Sequence, residues 1–179
     1  MLRTQSRSSR LPALLSTASL IAAIALPIWA VALWVFWDPI SAAAAAGAQL
    51  PYDPSAVGLS GRVAGCLVWL LGAAIQAYGL LGLRRTFAEA QAGRPLSSLS
   101  LKGFQRFAWA SVASAAYGVA QHTALILILS VSDPATPGAV SIQFGSHQAQ
   151  ALFIGLLMVF VAEVFAEGKR AADETAAFI

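Results

Sequence analysis

Few residues in this chain have chemistry to offer, and they are scattered. There are two histidines, His122 and His147, and one cysteine, Cys66. Glu163 is a lone carboxylate in an otherwise uncharged apolar run. Zinc takes four ligands, at least three of them from protein in a catalytic site. The spacing here assembles no such set, so no metal site is expected and no cofactor is implied. HExxH, the GxSxG elbow and the phosphate-cradling P-loop are all missing from the 179 residues, and with one cysteine no CxxC pair can form. No serine has a histidine placed as its base. These residues do not add up to an enzyme.

What remains is a set of neutral hydrogen-bonding groups embedded in apolar sequence: Gln76, Ser114, Gln121 and His122. Polar groups in hydrocarbon are costly, so each needs a partner or a function. Gln76 precedes Arg84, and Ser114 follows Arg106, by the same number of residues. On helices both fall about 12 Å from the same membrane edge. Gly65, Gly72, Gln76 and Gly79 share one face of their run. Ser111, Ser114, Ala115, Gly118, Gln121 and His122 share one face of the next. Small faces let backbones approach closely. The two faces are therefore expected to pack together with Gln76 beside Ser114, as polar glue between helices. His122 and Gln121 fall in the outer half of their run, where a lone histidine reads as a hydrogen-bonded packing residue. Glu163 lies about 9 Å before Lys169 by helical rise. It reads either as a carboxylate paired with a nearby cation or as a proton or cation site.

The elements that position these groups follow from composition. Charged residues make up 11% of the chain, against roughly 25% in soluble domains. Such a chain cannot cover a water-facing surface, and its mean hydropathy is +0.71. Four apolar runs, 14–37, 63–83, 107–130 and 148–166, meet the roughly 20 residues needed to cross a bilayer. Lipid offers no hydrogen-bond partner to open backbone, so each must be a helix. The expected fold is all-α: a single domain, an integral-membrane four-helix bundle. The first run exceeds the roughly 7–15 apolar residues of a signal core, so it is expected to stay as a span, kinked at Pro27.

Charge placement sets the threading. Of 11 Lys and Arg, only Arg62 lies on the side of loops 38–62 and 131–147. The others precede run one (Arg3, Arg7, Arg10), occupy the loop 84–106 (Arg84, Arg85, Arg94, Lys102, Arg106) or follow run four (Lys169, Arg170). The positive-inside rule makes that side cytoplasmic, with both termini on it. Basic residues placed this way serve topology and anionic lipid, so direct nucleic-acid binding is not expected. RRTFAEAQAG is expected to extend helix two beyond the membrane until Gly93, with Ser97 or Ser98 capping the next helix. The alternation in 140–144 predicts a short strand in the second outer loop, and the alanines after Ser41 a helical turn on the interface.

Three segments carry a resemblance. Leu80–Ala108, LLGLRRTFAEAQAGRPLSSLSLKGFQRFA, joins a span end, a Gly-x-Pro-x-Ser turn and a basic entry to the next span. The second is VSIQFGS, and the third VFAEGKRAADETAAFI, Val164–Ile179. In this order they resemble the bacterial DUF2975 family, small four-span membrane proteins of unknown function. Members are often encoded beside small Xre-like helix-turn-helix regulators, so the resemblance implies a cytoplasmic protein partner and no activity.

The leading expectation is a non-enzymatic component of a bacterial cytoplasmic membrane. It would bind or signal through Arg84, Arg85, Arg94, Lys102, Arg106, Lys169 and Arg170. The alternative is transport or permeation, as a homo-oligomer, along Gln76, Gln121, His122 and Glu163. A reporter fused after Ile179 is expected to be active in the cytoplasm; periplasmic activity would reverse the threading.

Overall fold

A computed structural model of the chain describes residues 10–41, 57–132 and 145–177. Four long helices account for almost all of them: α1 (Arg10–Val35), α2 (Leu59–Gln91), α3 (Ser98–Ser132) and α4 (Ser146–Ala177). A short helical turn at 37–41 follows α1, and no strand occurs among the described residues. Each long helix is long and apolar enough to cross a membrane. The protein is an all-α four-helix membrane bundle. The expected strand at 140–144 and the alanine-rich turn after Ser41 lie outside the described residues. So do the side chain of His147 and the residues Arg3 and Arg7.

Hydroxyls inside the spans satisfy themselves locally. Thr17 donates to the Ala13 carbonyl, Ser19 to Leu15, Ser111 to Phe107 and Thr123 to Val119, at 2.8–3.1 Å. This return to the preceding turn lets a hydroxyl sit in hydrocarbon without a distant partner. The α1 helix also runs through Pro27 to Val35.

The helices alternate in direction and pack in chain order. At the end rich in arginine and lysine (the basic end), Ser16 reaches the Arg84 carbonyl, Thr86 Oγ1 donates to the Ser100 carbonyl at 2.9 Å, and Phe104 meets Phe165 edge-on at 6.5 Å. At the far end, Arg62 forms a two-pronged ion pair with Asp38, binding the exit of α1 to the entry of α2. The Arg62 guanidinium holds the Asp38 carboxyl below its ordinary pKa of 3.8. Thus the lone cation of the far end is neutralised there. Substantial packing joins α1 to α2, α2 to α3 and α3 to α4; among the described residues α2 and α4 hardly touch. The bundle is therefore open along one flank of α3.

Close packing is made by small residues, as expected where lipid removes the hydrophobic drive between helices. A buried stripe of Ser19, Ala23, Ala30 and Trp34 turns α1 toward α2. Trp34 stacks on Trp37 at 4.7 Å and lies against Gly65. Along the α2–α3 seam, Gly72 meets Tyr117 and Gln121, Gly79 meets Ala110, and Gly82 meets Gly103. On the other side of α3, Gly155 of α4 sits on Val112. Large apolar side chains point outward instead: Ile21, Ile28, Leu67, Leu71, Phe153 and Phe160 are all exposed. In water such a surface would aggregate; here it is the lipid-facing surface.

Two expectations about faces are corrected. Gly65 was expected on the α3-facing stripe of α2, but Trp34 of α1 occupies that space. Gly118 was expected in a small-residue contact, yet nothing lies within 4 Å of where its Cβ would be. The face of α3 that meets α2 runs through Gly103, Ala110 and Tyr117. The face carrying Ser111, Ala115 and Gly118 is rotated from it toward the opening.

A Cβ at Gly82 would stand 2.6 Å from the Gly103 carbonyl oxygen, and one at Gly103 equally close to that of Gly82. Gly82→Ala must therefore push two backbones apart, with an expected loss of about 1–3 kcal/mol in a detergent unfolding titration. Gly118→Ala meets nothing and should stay within about 0.5 kcal/mol of the parent. Equal effects at the two positions would contradict the packing described.

Candidate functional site

Two features stand out from the lipid-facing surface: a polar cleft within the spans and a basic ledge at one end.

The cleft has α3 as its floor and α2 and α4 as its walls, with a volume of about 700 Å³. Six polar side chains line it: Gln76, Ser111, Ser114, Gln121, His122 and Gln148. On α3 the lining runs from Phe107 to Leu125. That is about 27 Å of helix, close to the roughly 30 Å thickness of the hydrocarbon layer. Gln76 Nε2 donates to Ser114 Oγ at 3.1 Å, so the expected neighbours are in contact. They touch at the edge of an opening, however, and not within a closed seam. Below them Gly79 and Ala110 bring the backbones together; above them Tyr117 donates to the Val68 carbonyl at 2.7 Å and tightens the same seam. Gln121 and His122 are half-buried cleft residues. Neither side chain makes a hydrogen bond among the described residues.

Glu163 lacks the interfacial ion pair expected for it and does not join the cleft. It is exposed on α4, lies outside the cleft lining and forms no ion pair among the described residues. The cations nearest it in sequence are committed elsewhere, Lys169 to Asp173 at 2.7 Å and Arg170 to Glu167 at 3.6 Å. Those two cations are held by i,i+4 and i,i+3 partners on their own helix, and Arg84, Arg85 and Arg106 form no ion pair with Glu163 among the described residues. Among the described residues no three His, Cys, Asp or Glu side chains cluster as a metal site would need. Cys66 is half-buried and unpaired as a disulfide.

The ledge is formed where α2 and α3 continue beyond the spans. Gly93 takes φ +76° just after the last turn of α2, a conformation that suits glycine. The Arg94 amide returns to the Glu89 carbonyl at 2.9 Å. Glu89 then gathers the turn: Arg94 pairs with it at 3.3 Å, and Ser97 Oγ donates to it at 2.9 Å. Ser97 Oγ also accepts the Ser100 amide at 3.1 Å, so Ser97 is the helix cap of α3. The connection is thus a fixed helical hairpin. Arg84, Arg85 and Lys102 project from it, exposed and without an ion pair among the described residues. Arg106 is half-buried, its guanidinium 4.4 Å above the Tyr78 ring.

Sequence reasoning missed Gln148 and Tyr78. Gln148 begins the fourth run, and its place at the cleft mouth follows only from how α4 leans on α3. Tyr78 had a legible signal: it lies within two turns of Arg84, at the depth where aromatic rings meet the interface.

Searches against family models, curated proteins and solved structures return no match to this chain.

An imidazole and amides left in hydrocarbon without partners cost several kcal/mol, so the cleft is expected to be wet. With Cys66 replaced by Ala, Gly118→Cys should react readily with a water-soluble maleimide in intact bilayers. Leu71→Cys, on the lipid face, should stay unlabelled, because an apolar setting suppresses the thiolate. Equal protection of both would mean that lipid fills the cleft.

Proposed function

We propose that this chain is a multi-pass component of a bacterial cytoplasmic membrane, with both termini inside. It binds a cytoplasmic protein partner through its basic end and catalyses no reaction. The observation that supports this reading is the ordered α2–α3 hairpin, whose Arg84, Arg85 and Lys102 are held out from a rigid base without counter-charges in the described chain. A hairpin that only marked topology would need the charges but not the capped, hydrogen-bonded turn. The cations present a fixed pattern to an acidic surface, which favours rapid, oriented encounter. The resemblance to DUF2975 suggests the partner class: a small helix-turn-helix regulator of the Xre type. Nucleic acid would then be contacted by that regulator and not by this chain.

The cleft favours a second reading, passage or binding of a small polar solute by an oligomer in which another copy closes the open flank. Gln76, Gln121 and His122 would line the path. Glu163 lies outside it, so this reading no longer includes a carboxylate.

A photo-crosslinking side chain at position 85 or 102 is expected to capture a small helix-turn-helix regulator in the native host, while one at position 71 does not. Reversing charge at both Arg84 and Arg85 should weaken capture about tenfold or more, since each exposed cation contributes on the order of 1 kcal/mol to such a contact. Capture no greater than that of the position-71 control would remove the partner reading. Solute uptake by proteoliposomes, lost on His122→Leu, would then favour the second.

A further inference from the structure

The other flank of the α2–α3 seam carries a second groove, quite unlike the polar cleft. Its volume is about 610 Å³, and its walls are Ala74, Ile75 and Tyr78 of α2 and Trp109, Ala110 and Ala113 of α3. Arg106 stands at its basic end. The alanines make an apolar trough. Tyr78 and Trp109, both more than half exposed, form its rims. From Arg106 to Ala113 the trough follows α3 for about 10 Å into the hydrocarbon layer.

Arg106 is the unusual member. Its guanidinium lies over the Tyr78 ring at 4.4 Å, a cation–π contact. No carboxylate lines the groove, and Arg106 has no ion pair among the described residues. Glu89, on the same hairpin, is already held by Arg94 and Ser97. A guanidinium at the edge of hydrocarbon calls for an anion, and its planar fork matches phosphate in two-pronged geometry. Two further cations share these helix faces at the groove's mouth. Lys102 lies one turn before Arg106, and Arg85 lies two turns beyond Tyr78; both are exposed.

We propose that this groove binds one anionic phospholipid from the leaflet at the basic end. Its phosphate is held by Arg106, with Lys102 and Arg85 beside the headgroup, and an acyl chain lies in the alanine trough between Tyr78 and Trp109. Charge complementarity selects the headgroup, and the apolar continuation of the groove selects a lipid over a free phosphate. The assignment shares Arg85 and Lys102 with the protein-partner reading but rests on Arg106 and the lipid-facing groove, and it is read without any regulator present, so the two can fail separately.

The test uses the full chain in phosphatidylcholine proteoliposomes. Phosphatidylglycerol or phosphatidylcholine with brominated acyl chains is titrated in over the same range of mole fractions, and tryptophan fluorescence is recorded. The part of the signal lost in Trp109→Phe reports the groove. Brominated phosphatidylglycerol should quench that part at a mole fraction about fivefold lower than brominated phosphatidylcholine, the preference expected for one cation near a membrane surface. Arg106→Gln should abolish the preference, Arg106→Lys restore some of it, and Arg62→Gln, at the far end, leave it intact. Lys102→Gln, at an exposed position, should reduce it and provides the same test should Arg106→Gln not fold. Inorganic phosphate should not compete. Equal quenching by both lipids, a preference surviving in Arg106→Gln and Lys102→Gln, or displacement by inorganic phosphate would each overturn the assignment.

Discussion

Two helices in lipid gain little from hiding apolar surface from each other, because the tails around them are equally apolar. What holds α2 to α3 is proximity of backbone, and proximity is limited by side chains. At Gly82 and Gly103 each backbone carbonyl lies where the other residue's Cβ would have to be. Gly79 against Ala110 continues the approach, and Tyr117 and Thr86 add hydrogen bonds to opposite backbones above and below. These contacts set the spacing on which both grooves depend.

A narrow seam also explains why there are two grooves of opposite character. Each helix presents a cylinder about 10–12 Å across with its side chains. Two cylinders brought close leave a furrow on each flank. On one flank α4 leans on α3 through Gly155 and Val112 but stays clear of α2, so the furrow deepens into a cleft. Its polar lining is sheltered from lipid on three sides. On the other flank no third helix contributes to the lining, and the furrow opens directly to the acyl chains. Residue types follow this division: amides, hydroxyls and imidazole on the sheltered flank, alanines and ring edges on the open one.

The spans, their order and the α2–α3 turn were legible because each is encoded locally. Length and apolarity define a span, Gly93 is the glycine needed for a positive φ, and Ser97 has an amide three residues on to accept. The contact of Gln76 with Ser114 was legible through equal depth in antiparallel helices. Faces were harder. A small residue permits close packing and also permits a void, and the two leave the same mark in sequence. Gly65 and Gly118 look alike as letters; one receives the Trp34 ring and the other faces open space. Only the lean of a third helix distinguishes them, and that depends on contacts distant in sequence. Glu163 misled for a related reason. Helical rise placed cations near it, but Asp173 and Glu167 lie closer along the same helix and take them.

Charge on this protein has two consequences from one distribution. Cations at one end fix threading because they resist crossing the bilayer, and the same cations remain there to act once threading is complete. At the far end the lone Arg62 is consumed by Asp38, and that contact also ties α1 to α2. At the basic end some cations are likewise consumed: Arg94 by Glu89, Lys169 by Asp173, Arg170 by Glu167. Among the described residues Arg10, Arg84, Arg85, Lys102 and Arg106 are left over, and all but Arg10 lie on the α2–α3 hairpin. A topology signal requires only a count of charges on one side. Gathering most of that surplus on one hairpin, with one member laid over an aromatic ring at the mouth of an apolar groove, concentrates positive potential where protein, water and lipid meet. The residues that determine how the chain is threaded are thereby also those best placed to bind something once it is.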